Sequence, residues 1–308
     1  MKFLNLVRYK NLLLIALMQL VLYFGFLKLQ SIPLGIQTWQ YFLLVFATLF
    51  ITAGGYIIND IFDQGTDAIN KPNKNLIGNS ISESLAYNLY TTFTFLGVIT
   101  GYYLSHIINH PNFVIVFILC ASLLYLYATN LKQIILIKNI TVSLLLAFSV
   151  IIIGLFTLFP VLPFGDKGQL FFLFSVLIDF SIMAFMINFL REIIKDIEDI
   201  RGDYNEDIRT IPIVLGTNRT LKLIFGLTFI PITLILSYIY NNLFELTYAT
   251  LYILFFIIGP LLYFAIKVWS AQSQKDYKHL SNVLKLIILL GSLSIGVIGL
   301  NMTYYASH

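Results

Sequence analysis

Apolar stretches of about the length needed to cross a bilayer alternate with short polar breaks from one end of the chain to the other. Nine can be read, at 11–30, 38–58, 86–107, 112–130, 138–160, 169–193, 219–240, 246–267 and 282–304, against the roughly 20 apolar residues a spanning helix requires. The pattern predicts an all-α fold, a polytopic membrane bundle of nine transmembrane helices forming a single domain over 1–308. Pro231 and Pro260 fall inside spans, which membrane helices tolerate when neighbouring groups re-satisfy the freed backbone. The first apolar segment lacks a small-residue cleavage pattern and reads as a retained helix.

Composition agrees. Of 308 residues, 58% are hydrophobic and 11% charged, where a soluble domain carries about 25% charge. With the N-terminus inside, Lys2, Arg8, Lys10, Lys71, Lys74, Lys132, Lys138, Arg191, Lys195, Arg201, Arg209, Arg219, Lys222, Lys267, Lys275, Lys278 and Lys285 fall on the inner side. Only Lys28 and Lys167 fall outside, and seventeen cations against two is a strong positive-inside bias. The predicted topology is an integral protein of the plasma (inner) membrane, with its polar loops cytoplasmic and its C-terminus on the opposite side. Because the cations are spread along one membrane face, the net charge of +4 does not indicate nucleic-acid binding. Topology control and contact with anionic membrane lipid are the readings for Lys275, Lys278 and Lys285. Cys120 is a lone cysteine in a predicted span, which leaves no disulfide framework or cysteine metal site.

Two longer polar loops, at 59–85 and 194–218, carry the chemistry. The first holds Asp60, Asp63 and Asp67, and the second repeats the three-then-four spacing as Asp196, Asp199 and Asp203. On a helix that spacing keeps three carboxylates on one face. Both clusters lie at C-terminal helix ends, where the macrodipole disfavours negative charge by about 0.3–1 kcal/mol per group. A divalent cation would offset that cost. With Asn59 as an amide ligand the donors are all oxygens, which suits Mg²⁺. Lys71 and Lys74 follow the first cluster and Arg209 the second, so a diphosphate on a lipid-soluble substrate fits both charges. Asp179 falls near the middle of the sixth span, where an acid is costly. The recurrence of the acidic triplet also suits an ion-coupled transporter built from repeats, although both triplets sit at one surface. An intramembrane alcohol phosphotransferase would use only one of them.

These residues resemble the UbiA superfamily of intramembrane prenyltransferases. The NxxxDxxxD pattern is met by Asn59, Asp63 and Asp67, and the DxxxD pattern by Asp199 and Asp203. "NKPNK" is similar to the basic-Pro signature through Lys71 and Lys74, and "LYATNLKQI" to a Tyr/Lys loop through Tyr127 and Lys132. The resemblance implies Mg²⁺-dependent transfer of a prenyl group from an isoprenyl diphosphate donor to a lipophilic acceptor. It makes Asp63, Asp67, Asp199 and Asp203 the catalytic carboxylates, binding metal together with Asn59. Lys71, Lys74, Lys132 and Arg209 would meet the diphosphate, while Asp60, Asp196, Tyr127, Arg191 and Lys195 would border the substrates. The segment "REIIKDIEDIRGDYNEDIRTIP" is most similar to the branch that prenylates geranylgeranylglyceryl phosphate, whose phosphate would need extra cations such as Arg191 and Lys195. The branches with aromatic acceptors, in quinone, haem and chlorophyll synthesis, share the metal motifs.

Overall fold

The computed structural model describes residues 2–70 and 76–306. Its helices, in chain order, are α1 (Lys2–Leu6), α2 (Tyr9–Gly25), α3 (Thr38–Phe62), α4 (Gln64–Asn70), α5 (Glu83–Ile107), α6 (Val114–Thr129) and α7 (Ile137–Thr157). They continue as α8 (Lys167–Glu198), α9 (Ile200–Asn205), α10 (Ile211–Leu215), α11 (Thr217–Tyr238), α12 (Thr247–Ile253), α13 (Gly259–Ser270) and α14 (Gln274–Ala306). No named strand occurs among the described residues.

Eight helical runs among them are long and apolar enough to cross a membrane: Tyr9–Gln30, Thr38–Phe62, Pro111–Thr129, Ile137–Val161, Lys167–Glu198, Thr217–Leu243, Thr247–Ser270 and Gln274–Tyr305. The count therefore differs by one from the nine predicted. The segment at 86–107 is helical as expected, since it forms the 25-residue α5, but hydroxyl residues dilute its apolar character. Three of those hydroxyls bond within the helix: Thr92 donates to Asn88 O at 2.8 Å, Thr100 to Leu96 O at 2.7 Å and Ser105 to Gly101 O at 2.7 Å. A helix with its side-chain donors internally bonded exposes little polar cost to an apolar surrounding.

Helices α3 and α5 pack along one another, as do α7 and α8, and α14 lies against both α2 and α8. Buried hydrogen bonds fix the register between elements. The Gln19 amide donates to Ser149 O at 3.1 Å, and the Tyr41 hydroxyl donates to Gln19 O at 2.5 Å. In an apolar medium such bonds tie helices that hydrophobicity alone would not align. Pro260 follows a π-helical turn, Leu254–Ile258, that joins α12 to α13. A widened turn just ahead of proline accommodates a residue that has no N–H and crowds the preceding carbonyls.

Close crossing of α2 and α14 depends on glycine. A Cβ on Gly299 would lie 2.1 Å from the carbonyl oxygen of Gly25, while one on Gly226 would meet nothing within 4 Å. Gly299→Ala should therefore destabilise the protein by about 1–3 kcal/mol through overpacking. Gly226→Ala should be neutral or slightly stabilising. Thermal unfolding of both variants in detergent checks the contrast.

Candidate active site

The two acidic motifs come together at one end of the bundle, each as a break between a long helix and a short one. Helix α3 ends at Phe62 and α4 starts at Gln64, with Asp63 at the joint; α8 ends at Glu198 and α9 starts at Ile200, with Asp199 at the joint. Both joint residues adopt φ −97°, ψ 6°. The hydrogen bonding is also equivalent: Asp63 N donates to Asn59 O and Asp199 N to Lys195 O, each at 2.9 Å. Neither triplet thus lies along a single continuous helix, in contrast to the one-face arrangement expected from its spacing. Asp60 and Asp196 stay on the long helices, the middle acids mark the breaks, and Asp67 and Asp203 ride on the short ones.

One side chain locks the two halves. The Asn70 amide nitrogen donates to Asp199 O at 2.9 Å, and its oxygen accepts from Gly202 N at 2.9 Å. A Cβ on Gly202 would lie 2.3 Å from that same amide nitrogen, so only glycine permits the contact.

The result is a cavity of about 620 Å³ whose walls include Asn59, Asp60, Asp63, Asp67, Asp199 and Asp203. Lysines neutralise the acids. Lys132 is 2.6 Å from Asp63, and Lys138 lies 2.8 Å from Asp196 and 3.4 Å from Asp203. Asp196 is 3% exposed and also accepts from the Asn139 amide at 2.8 Å, so it is committed to Lys138 and Asn139. Asp60 pairs with Arg8 at 2.6 Å. Burial pushes the Asp203 carboxyl up to about 6, opposed by Lys138 and reinforced by Asp196 and Asp199.

Of the other expected residues, Tyr127 and Lys195 line this cavity. Arg191 lines an adjoining chamber of about 210 Å³, which shares Arg8, Asn59, Tyr127, Lys195 and Lys285 with the mouth and is otherwise walled largely by apolar side chains. Arg209 is exposed and outside the cavity wall, separated from α9 by a turn in which Asp207 has φ 54°. Lys71 and Lys74 lie outside the described residues. Asp179 lines a third, apolar chamber of about 110 Å³, about 25 Å along α8 from Asp196 by the helical rise.

The donor set suits a hard divalent cation. The Asn59 amide nitrogen donates to Asp63, while its oxygen is buried with no hydrogen-bond partner. An acceptor left free beside a carboxylate is what an oxygen-seeking cation needs. Among the described residues no three carboxylates close on one point; the neighbouring cations are the Lys132 and Lys138 ammoniums and the Arg8 guanidinium. Arg8, Asn70, Lys138, Glu192 and Lys285 were not singled out by sequence reasoning. Only Glu192 had a signal of its own, an acid between Arg191 and Lys195 at the end of a span.

Residues 9–290 match the model of the UbiA prenyltransferase family. Two similar proteins are digeranylgeranylglyceryl phosphate synthases. The one from Methanosphaera stadtmanae is 32% identical over 79% of this chain and 82% of its own length, and the one from Thermococcus sibiricus is 32% identical over 83% and 86%. A solved structure concerning digeranylgeranylglyceryl phosphate synthase in membranes superposes with TM-score 0.67 at 22% identity, covering 97% of each chain. A UbiA homologue from Archaeoglobus fulgidus bound to GPP and Mg²⁺ superposes with TM-score 0.62 at 17% identity, covering 96% of this chain and 99% of that one.

Asn70→Ala should unlock the second motif by leaving the Gly202 N–H without its acceptor, a loss of about 1–3 kcal/mol for a buried donor. Faster amide hydrogen exchange confined to 200–205, with the spans unchanged, is the expected readout.

Proposed function

The chain belongs to the UbiA prenyltransferase family, and on that footing we propose that it moves a prenyl group from an isoprenyl diphosphate to the hydroxyl of a prenylglyceryl phosphate, specifically geranylgeranylglyceryl phosphate. The observation that carries the reading is the pair of matched helix breaks at Asp63 and Asp199, facing one cavity that opens onto apolar chambers. The acceptor is inferred from relatives named digeranylgeranylglyceryl phosphate synthase that align over most of both chains.

Asn59, Asp63, Asp67, Asp199 and Asp203 would hold Mg²⁺, which supplies Lewis-acid stabilisation of the departing diphosphate. Lys132, tied to both Asp63 and the Phe62 carbonyl, is placed to share a leaving-group oxygen. Lys71 and Lys74, which follow the first motif in sequence, would add charge. The bond from the allylic carbon to the diphosphate oxygen breaks, an ether bond to the acceptor oxygen forms, and the hydroxyl proton is lost. The apolar walls beneath the mouth keep water from the allylic cation. Tyr127, which lines both compartments, offers a ring to that cation. Asp179 and its chamber would meet the far part of a prenyl chain. The protein works as a single domain in the plasma membrane, with the cavity on the cytoplasmic face where the sequence concentrates its cations.

Asp63→Asn and Asp199→Asn should each lower Mg²⁺-dependent prenyl transfer by about 10²–10³-fold while the protein still inserts and folds. Incubation with Mg²⁺, labelled geranylgeranyl diphosphate and a panel of prenylglyceryl phosphate and aromatic acceptors, followed by mass analysis of the lipid, reads this directly. Full transfer by both variants, or prenylation of the aromatic acceptors alone, defeats the proposal.

The raised Asp203 pKa sets a pH dependence. At neutral pH its ionised form works against folding; that cost fades as pH falls from 6 toward 4, and a bound cation removes it. Below about pH 6 the metal-free protein carries Asp203 neutral, so Mg²⁺ affinity should weaken from pH 7 to pH 5. Calorimetric titration with Mg²⁺ at the two pH values is the check. Asp203→Asn should flatten the dependence.

A further inference from the structure

Beside the acidic mouth lies a second, oppositely charged cluster that the metal chemistry does not use. Arg8, Arg191, Lys195 and Lys285 gather where the polar cavity narrows into the first apolar chamber. They come from distant parts of the chain: the residue that precedes α2, the C-terminal end of α8 and the first half of α14. Arg8 adopts the left-handed region, φ 50°, to join α1 to α2. The carboxylates Asp63, Asp67, Asp199 and Asp203 line the mouth only, whereas Arg8, Lys195 and Lys285 line both mouth and chamber and Arg191 lines the chamber.

The cluster is under-neutralised. Asp60 pairs with Arg8 at 2.6 Å, and Glu192 pairs with Lys195 at 2.8 Å and Arg191 at 3.4 Å. Four cations against two acids leave two positive charges, and Lys10 adds a third at the rim. Lys285 is part-buried and bonds the Asn11 amide oxygen at 2.6 Å, with no carboxylate partner among the described residues. The Arg191 Nε is buried with no hydrogen-bond partner. Like charges brought together in a poorly solvated neck repel strongly, and breaking a buried pair costs several kcal/mol. An arrangement with an idle guanidinium N–H and an uncompensated ammonium lacks an anion. A phosphate monoester carries about −1.5 to −2 charges and three acceptor oxygens, which matches the deficit.

We propose that Arg8, Arg191, Lys195 and Lys285 form a metal-independent site for the phosphate monoester of the acceptor lipid, distinct from the place of the leaving diphosphate. This rests on the prenylglyceryl phosphate reading above. The site explains how one cavity sorts two phosphorylated lipids: the donor is held through the acidic, Mg²⁺-requiring half, and the acceptor through the basic neck. Arg191 offers a planar fork for two phosphate oxygens. Glu192, which lines the same neck, positions Arg191 and Lys195 through its ion pairs with both. Lys285, counted in the sequence only as a lipid-anchoring cation, becomes a specificity-determining residue.

The test separates binding from turnover. In EDTA, geranylgeranylglyceryl phosphate should raise the unfolding temperature of the purified protein, and geranylgeranylglycerol, which lacks the phosphate, should not. Lys285→Gln and Arg191→Gln should each abolish that shift. With Mg²⁺ they should raise KM for the phosphorylated acceptor about tenfold or more, while KM for geranylgeranyl diphosphate moves less than about twofold, a difference typical of losing one partner of a charge-assisted contact. Lys285→Arg, which keeps the charge, should recover most of the affinity and controls for misfolding. Equal protection by both lipids, unchanged acceptor KM in both glutamine variants, or a parallel rise in donor KM overturns the assignment. If the wild-type protein is protected by the phosphorylated lipid but never prenylates it, the basic site stands and the functional reading falls.

Discussion

Negative charge concentrated at the C-terminal ends of two membrane helices is the constraint around which this end of the bundle is built. The carboxylates repel each other and oppose both helix dipoles. The fold answers by ending α3 and α8 one residue before Asp63 and Asp199. It then turns each chain into a short helix and inserts Lys132 and Lys138 from the α6–α7 connection and the start of α7. Asn70 holds the two short helices in contact, so the acidic groups are kept close, despite their repulsion, by one side-chain amide bonded to the backbone at Asp199 and Gly202. Asp196 and Asp203, both buried, share Lys138 and so belong to one balance rather than to isolated ion pairs.

Much of this was legible in the sequence because it follows from local pattern. Runs of apolar residues with polar breaks locate the membrane helices, since a lipid-embedded backbone has few ways to satisfy itself. α5 shows the limit of that rule: Thr92, Thr100 and Ser105 bond their own backbone, so composition alone undervalues it. The acidic triplets were visible because their spacing recurs. What remained hidden was long-range. Lys138 and Lys285 look like ordinary boundary cations until the fold shows one bridging Asp196 and Asp203 and the other facing Arg191 across the neck. The helix breaks were hidden as well, because Asp63 and Asp199 sit in sequences with good helical character on both sides. Asn70 carried no signal, since its partners are Asp199 and Gly202, far along the chain.

The duplication of the break is itself informative. Asp-Ile-x-Asp-x-x-x-Asp occurs at 60–67 and at 196–203, with matching backbone angles at the middle residue. Yet the surroundings differ: the first copy bears Asn59 with a free amide oxygen, and the second bears Lys195, paired to Glu192. The same local geometry therefore places a free amide oxygen beside one break and an ammonium beside the other.

The separation in sequence between partners has a consequence for how the protein is made. Synthesis runs from the N-terminus, so Arg8 is already present when Asp60 emerges, and Lys138 is present before Asp196 and Asp203. Asp63, by contrast, precedes its cation, and it waits 69 residues for Lys132 rather than the 129 that separate Asn70 from Asp199. The second acidic cluster consequently enters a nascent bundle whose neutralising charge is in place. The first acquires its own before the two halves ever meet. Order of emergence spares the growing chain from holding both unpaired clusters at the membrane surface at once.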